Sequence, residues 1–115
     1  MPPTDRAPDD VGPEEAAREA VSGSALLLDV REPDEWAAGH APGARHVPLD
    51  ALDPGSLPAD RTIVAVCRSG NRSGQAALRL RAAGLDARNL VGGMQAWAAA
   101  GLPVRRDDGT DGTVT

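Results

Sequence analysis

Several residue types are scarce or missing in this chain of 115 residues, and each shortage limits the sites or the core that the protein can have. The only cysteine, Cys67, excludes an internal disulfide and a zinc site built from several cysteines. Histidine is limited to His40 and His46, so we expect neither a metal nor another cofactor. Because Phe and Tyr are absent and Trp occurs twice, the core must consist mainly of Leu, Val, Ile and Ala.

Long apolar runs are also missing. No stretch of about 18 apolar residues exists, so the sequence predicts no membrane span. The first ten residues, MPPTDRAPDD, contain neither a basic start nor an apolar stretch, and they do not resemble a secretory signal. Together with an unpaired, reducible thiol, this predicts a cytoplasmic protein without a membrane partner.

Positive charge is concentrated in one part of an acidic chain. The net charge is −5, which argues against nucleic-acid binding. Residues 61–88 nevertheless carry six arginines against a single aspartate, and these are Arg61, Arg68, Arg72, Arg79, Arg81 and Arg88. We interpret the last three as a solvated helix face. For Arg68 and Arg72 we favour a functional role, because they belong to the loop that follows the only thiol.

Strand and helix patterns alternate along most of the chain. The predicted strands are Asp9–Gly12, Ala25–Val30, Ala44–Val47, Thr62–Val66 and Asp86–Leu90. The predicted helices begin near Pro13, Pro33, Arg72 and Met94, with a helical turn at Leu49–Leu52. Such alternation predicts an α/β domain with a parallel sheet covered on both faces. We place this domain at residues 9–104, between a disordered segment 1–8 and a flexible acidic tail 105–115.

The segment V-C-R-S-G-N-R-S-G, from Val66 to Gly74, carries the chemistry. It places Cys67 at the carboxyl end of a buried strand and in front of a helix, where parallel α/β sheets bind ligands. If the loop curls around Cys67, its backbone N–H groups form an anion-binding nest, and the helix N-terminus adds positive potential. This environment predicts a lowered thiol pKa and an anionic substrate or leaving group. The alternative is that Cys67 is a small core residue, as free cysteines often are.

Three separate stretches match a known family in order and spacing. They are Leu28–Glu32 with Glu35-Trp36, Gly39–Ala44 and Pro48; Cys67–Ser73; and Leu90–Met94 with Trp97 and Gly101–Pro103. On these residues the chain resembles a single-domain rhodanese, a sulfurtransferase. The resemblance covers roughly residues 9–104.

The resemblance implies a five-stranded parallel sheet with helices on both faces. It implies that Cys67 is the catalytic residue and carries a sulfane sulfur as a persulfide, moving it from a donor such as thiosulfate to cyanide or a thiol. It assigns substrate binding to the rest of the active-site loop, namely Arg68, Ser69, Gly70, Asn71, Arg72 and Ser73. Asp29 and Arg31 stand at the end of their strand, where they either support that loop or simply cap the strand.

Alternatives to a small-molecule sulfurtransferase stay open. One is a persulfide relay or binding module that acts on a sulfur-accepting protein. Another is a cysteine-based phosphatase or arsenate reductase, although four residues separate Cys67 from Arg72, whereas the related phosphatases have five. A serine at position 69, where some thiosulfate-using members carry a basic residue, leaves the donor open.

Other matching residues are interpreted as structural. We expect His40 to organise a turn, His46 to lie on the surface, and Trp36 and Trp97 to pack. Gly92-Gly93 is predicted to form a tight turn beside the active-site loop.

Overall fold

A computed structural model describes residues 9–115. The segment 1–8, predicted to be disordered, lies outside the described residues. The strands are β1 Asp10–Val11, β2 Ala25–Asp29, β3 Arg45–His46, β4 Thr62–Val66 and β5 Ala87–Leu90. The helices are α1 Pro13–Ser22, α2 Pro33–Ala38, α3 Asn71–Ala82 and α4 Gly93–Ala99, with short 3-10 turns at Leu49–Ala51 and Pro54–Ser56. None of these helices is both long and apolar enough to cross a bilayer.

The five strands form one parallel sheet in the order β1-β5-β4-β2-β3, which confirms the predicted architecture. β4 is therefore the central strand, paired on both edges. Because the strands are parallel, their carboxyl ends meet at the same edge of the sheet. Cys67, directly after β4, consequently lies at the middle of that edge.

The core lies on both faces of the sheet, and β4 contributes to each. Val64 and Val66 pack with residues of α1 and α4, whereas Ile63, Ala65 and Cys67 pack with residues of α3. This alternation follows from the two-residue side-chain period of a strand. The α3 face is formed by the residues whose helical spacing predicted it, Ser73, Ala76, Ala77 and Leu80, all of which are buried.

The C-terminal segment 105–115, for which the sequence analysis predicts a flexible tail, makes backbone contacts with the domain. Arg105 pairs with His40 in an antiparallel bridge, and the Thr113 N–H donates to the Ala38 carbonyl at 2.9 Å. The approach is so close that a Cβ added at Gly39 would lie 2.7 Å from the Thr113 nitrogen. Backbone hydrogen bonds hold most of this segment. Because nearly every residue type can form such bonds, they leave no pattern of apolar residues in the sequence.

Candidate active site

The active-site loop begins where β4 ends and is closed by the start of α3. Gly70 adopts a left-handed conformation with φ of 109°, and the helix begins at the next residue. Non-glycine residues rarely adopt this conformation, so Gly70 allows the chain to turn back over Cys67. The loop therefore curls around the thiol instead of leading away from it.

The Cys67 sulfur lies among hydrogen-bond donors of the loop and of the start of α3. The Gly70 N–H donates to Sγ at 3.0 Å, and the Ser73 hydroxyl donates to it at 3.2 Å. Burial raises the pKa of the Cys67 thiol, but the Ser73 hydroxyl and the N–H groups of Ser73, Gly70 and Ser69 together lower the pKa below its ordinary value. The site thus favours a thiolate by hydrogen bonding to the charged form.

The Cys67 thiol is buried and does not lie in an open cleft. Cys67 is 1% exposed and belongs to the core cluster that contains the buried residues of α3. The loop above it is a thin cover, since Arg68, Ser69 and Asn71 are all exposed.

Arg72 is bound to a carboxylate that the sequence analysis did not assign to the site. Its two terminal nitrogens donate to the Glu35 oxygens at 2.6 and 2.8 Å. This bidentate pair lowers the pKa of Glu35 to about 2, against the opposing effect of burial, and it raises the pKa of Arg72. Glu35 lies on α2, so the pair joins the loop to the neighbouring helix. In the sequence, Glu35 stands out only as part of the Glu35-Trp36 match to the family. That match does not indicate which side chain the carboxylate binds.

Neutralising Glu35 should remove a contribution to the free energy of unfolding that is present at neutral pH and is lost in acid. The folded-state pKa is lowered, so the contribution is complete above the ordinary value of 4.5 and is lost as the pH falls toward about 2. We expect Glu35→Gln to lower the free energy of unfolding by about 1 kcal/mol at neutral pH, since Arg72 is one-third exposed. Urea unfolding at several pH values measures this. Asp34→Asn, on the same helix turn, is the control. A deficit that persisted unchanged at the lowest pH would contradict the assignment.

Asp29 and Arg31 form a buried ion pair, but their hydrogen bonds do not reach the loop. The Arg31 guanidinium donates to both Asp29 oxygens, at 2.8 to 3.1 Å, and to the Gly39 carbonyl at 2.8 Å. The Arg31 N–H also donates to Asp29 Oδ1. The pair therefore joins the end of β2 to the residue that follows α2.

Asn89 is a site residue that the sequence analysis missed. It lies on β5, and its Oδ1 is 2.5 Å from the Ser73 hydroxyl. That hydroxyl has a single proton, so it cannot donate to Asn89 and to the Cys67 sulfur at the same time. When Ser73 donates its hydroxyl proton to the Cys67 thiolate, the Asn89 amide keeps its contact with the Ser73 oxygen by rotating so that its NH₂ group donates. No motif within the loop points to a residue on a different strand, and so the sequence offered no signal.

Removing the Ser73 hydroxyl should raise the pKa of the Cys67 thiol. A hydrogen bond to a charged group is worth about 1.5 to 3 kcal/mol, so Ser73→Ala should reduce the thiolate fraction roughly tenfold below both pKa values. The rate of alkylation by iodoacetamide as a function of pH measures the midpoint. Ser56→Ala removes a hydroxyl bonded to the Asp53 carbonyl, far from the thiol in sequence, and should leave the profile unchanged. Identical midpoints for wild type and Ser73→Ala would refute the role.

The turn between β5 and α4 packs against the base of the loop. Gly92 and Gly93 have φ values of 75° and 59°. The next two N–H groups donate to loop carbonyls, Met94 to Cys67 at 2.7 Å and Gln95 to Arg68 at 3.0 Å. The predicted tight turn beside the loop is thus present, and it supports the backbone that carries the thiol.

The aromatic and imidazole rings form a stack beside α2. The centroid of the Trp36 ring lies 3.5 Å from that of the His40 ring and 4.8 Å from that of the His46 ring. Both imidazole rings are nearly parallel to the Trp36 ring. His46, predicted to lie on the surface, is partly exposed, but it is not free in solvent, since its Nε2 contacts the Arg31 carbonyl at 2.8 Å. The contact of His40 Nδ1 with the Trp36 carbonyl agrees with the turn-organising role.

Comparison with known proteins identifies similar chains. A curated sulfurtransferase of Allochromatium vinosum is 41% identical over 87 residues, which are 73% of this chain and 81% of that protein. The probable adenylyltransferase/sulfurtransferase MoeZ of Mycobacterium tuberculosis is 43% identical over 63% of this chain but only 20% of its own length. An uncharacterised Synechocystis protein is 46% identical over 68% of this chain and 45% of its length, so the chain spans less than half of these last two relatives.

Solved structures agree with the sequence matches. A rhodanese-related protein of Thermoplasma volcanium superposes with a TM-score of 0.77 at 29% identity, covering 83% of this chain and 95% of that one. A human single-domain sulfurtransferase gives a TM-score of 0.71, also at 29% identity, over 81% and 97%. The family model described as the rhodanese-like domain matches residues 12–100. With most of its length matched in both sequence and fold, the chain belongs to the rhodanese-like domain family.

Proposed function

We propose that this protein is a sulfurtransferase whose Cys67 thiolate carries the transferred sulfur as a persulfide. The observation that carries the proposal is the donation of the Gly70 N–H and the Ser73 hydroxyl to Cys67 Sγ. These donors lower the pKa of the thiol, so a separate general base is not needed to form the nucleophile. The names of the sulfurtransferase relatives support the same reaction class.

In the first half-reaction the Cys67 thiolate attacks the outer sulfur of a donor such as thiosulfate. A bond forms between Sγ and that sulfur, the bond from the outer sulfur to the sulfonyl group breaks, and sulfite leaves with the electron pair. The product is a persulfide anion in place of the thiolate. Backbone N–H groups fixed before the reaction stabilise this charge without reorganisation.

The loop residues have two different roles in this proposal. Arg68, Ser69 and Asn71 are exposed at the outer side of the loop, where an anionic donor arrives. Arg72 acts differently from a free ligand, because its guanidinium is already bound to Glu35. We therefore assign it to holding the loop against α2 and to contributing positive potential. Asp29 and Arg31 support the loop indirectly, through the position of α2.

In the second half-reaction a thiophilic acceptor removes the outer sulfur and restores the thiolate. Cyanide and small thiols are acceptors that fit the enclosed sulfur, and a sulfur-accepting protein is the alternative. A reducing compartment such as the cytoplasm suits a resting thiolate.

Mass spectrometry after incubation with thiosulfate tests the proposal. We expect the intact protein to gain the mass of one sulfur atom on Cys67, sulfite to be released in equal amount, and cyanide to remove the added mass. A persulfide that cyanide discharges slowly would favour the relay to a protein partner. Absence of a persulfide together with hydrolysis of a phosphate ester would overturn the proposal in favour of a phosphatase.

A further inference from the structure

Three side chains form a row of close contacts that runs from β5 through α3 to the thiol. Asn89 Oδ1 lies 2.5 Å from the Ser73 hydroxyl, and that hydroxyl lies 3.2 Å from Cys67 Sγ. Ser73 is fully buried, so both of its contacts are shielded from water. We call these side chains the Asn89–Ser73–Cys67 network. The sulfur is the only atom of the network whose charge changes.

The position of Asn89 leaves its amide free to turn. In the sheet the residue pairs with Asp10 of β1 on one side and with Ala65 of β4 on the other, so its backbone is fixed. Its Nδ2 lies 3.7 and 3.8 Å from the positions that a Cβ would take at Gly70 and Gly74. These glycines leave no side chain on that side of the amide. A half-turn of the terminal torsion therefore exchanges the amide oxygen and nitrogen.

Hydrogen-bond chemistry allows the network two directions. With a neutral thiol, the S–H group donates to the Ser73 oxygen and the Ser73 hydroxyl donates to Asn89 Oδ1. With a thiolate, which can only accept, the Ser73 hydroxyl donates to Sγ and the Asn89 NH₂ group donates to the Ser73 oxygen. Every group stays bonded in both arrangements. They differ by the rotation of one hydroxyl and one amide, and no proton passes between these residues.

We propose that Asn89 is a positioning residue that lets the network reverse its direction whenever the sulfur gains or loses negative charge. It acts on the sulfur through Ser73. The role requires an amide, because an amide offers an acceptor and a donor at the same place. A carboxylate could only accept, and it would hold the Ser73 proton away from the sulfur.

The same reversal extends to the proposed sulfur transfer, and this part rests on the proposed function. When the thiolate bonds to the outer sulfur of thiosulfate, sulfite leaves with the electron pair of the broken bond and the negative charge moves to the outer sulfur. Sγ is then a neutral, weak acceptor, so the Ser73 hydroxyl turns back to Asn89. When cyanide bonds to the outer sulfur and leaves as thiocyanate, the electron pair of the S–S bond stays on Sγ, and Ser73 donates to it again.

Magnetic resonance of the side-chain amides tests the reversal in the wild-type protein. The chain has four such amides, Asn71, Gln75, Asn89 and Gln95, so each ¹⁵N-labelled NH₂ signal can be assigned. We expect the Asn89 signals to shift with pH at the midpoint given by alkylation of Cys67. The exposed Gln75 amide should stay constant, and in Cys67→Ser the Asn89 shift should disappear. Asn89 signals that did not follow the thiol midpoint would overturn the proposal.

The charged neighbours of the network do not produce this shift. They are Arg68, Arg72 with its partner Glu35, Arg88 beside Asn89 in the chain, and Asp10 paired with it. Carboxylates and guanidinium groups keep one charge through the pH range in which a thiol ionises. A shift at the thiol midpoint is therefore due to the sulfur.

Two substitutions of Asn89 separate the reversal from simple support. Asn89→Asp holds the Ser73 proton and adds negative charge, so the thiolate fraction below the thiol pKa should fall about tenfold or more. Asn89→Leu removes one hydrogen bond from each direction, so the fraction should stay within about threefold of wild type. Alkylation by iodoacetamide as a function of pH measures both, and circular dichroism checks the fold. Equal losses in the two variants would assign Asn89 a merely structural role.

The Ser73→Ala background isolates the hydroxyl from the added charge. Without the hydroxyl, Asn89→Asp can act only through its charge, so its effect on the thiolate fraction should shrink by at least about threefold. An effect of the same size in both backgrounds would refute the route through Ser73.

Loading with thiosulfate distinguishes this inference from the proposed function. We expect the persulfide to return the Asn89 signals to their position in the neutral-thiol protein. If no persulfide forms, the proposed function fails, and the pH titration alone decides the reversal. If the persulfide forms but the Asn89 signals keep their thiolate position, the extension to sulfur transfer is refuted.

Discussion

We expect the replacement of Cys67 with serine to abolish the proposed persulfide formation and sulfur transfer, the largest effect of any single substitution. The serine hydroxyl fits the space of the thiol, but it does not ionise near neutral pH and cannot carry a sulfane sulfur. Because this chain has no second cysteine, no other side chain can take over the role. We expect transfer from thiosulfate to fall by at least about a thousandfold, as it does when other enzymes lose their nucleophile.

Mass spectrometry and sulfite release measure this loss together. The added sulfur mass should be absent from the variant under conditions that fully load the wild type. Circular dichroism and urea unfolding serve as the folding control, since the apolar surroundings of Cys67 accommodate a side chain of similar size. A folded Cys67→Ser protein that still transferred sulfur at the wild-type rate would end the persulfide mechanism.

Replacing Gly93 with alanine should damage both stability and activity. A Cβ at Gly93 would collide with the Cys67 carbonyl oxygen and would lie 2.6 Å from the carbonyl carbon of Arg68, and these are backbone atoms that cannot move away freely. The positive φ of 59° adds conformational strain for a residue with a side chain. We expect the free energy of unfolding to fall by about 3 kcal/mol or more, the sum of steric overlap and strain.

Gly101→Ala separates the two causes. Gly101 also has a positive φ, 78°, but a Cβ there would meet nothing within 4 Å. It should therefore show the conformational cost alone, about 1 kcal/mol, with normal alkylation of Cys67. In Gly93→Ala the loop carbonyls are pushed from their contacts with α4, so alkylation and sulfur transfer should slow even under conditions where the protein is folded. Equal effects of the two substitutions on stability and reactivity would show that the collision is relieved without moving the loop.

Local patterns specified the elements of this fold because each depends on nearby residues. The apolar run Thr62–Val66 predicted the central strand with its observed bounds. The spacing of Ser73, Ala76, Ala77 and Leu80 predicted the buried face of α3, since helical periodicity depends only on sequence distance. Short strands were less precise, and β1 is two residues shorter than predicted because its boundaries depend on pairing with β5.

Contacts between distant segments were not readable in the same way. The bond between Arg72 and Glu35 joins residues 37 positions apart, and that between Ser73 and Asn89 joins residues 16 apart. The docking of segment 105–115 on His40 and Ala38 is likewise a matter of backbone pairing across the chain. Nothing in the spacing of these residues indicates that they meet.

The amino-acid sequence on its own determined the alternation of strands and helices, and it singled out Cys67 and its Gly-containing loop, because these depend on side-chain periodicity and local backbone freedom. Only the tertiary structure decided which groups surround the thiol, that Arg72 is bound to Glu35, and that Asn89 contacts Ser73. The reason is geometric: a parallel sheet brings the ends of separate strands to one edge, so the neighbours of the sulfur come from segments far apart in the chain.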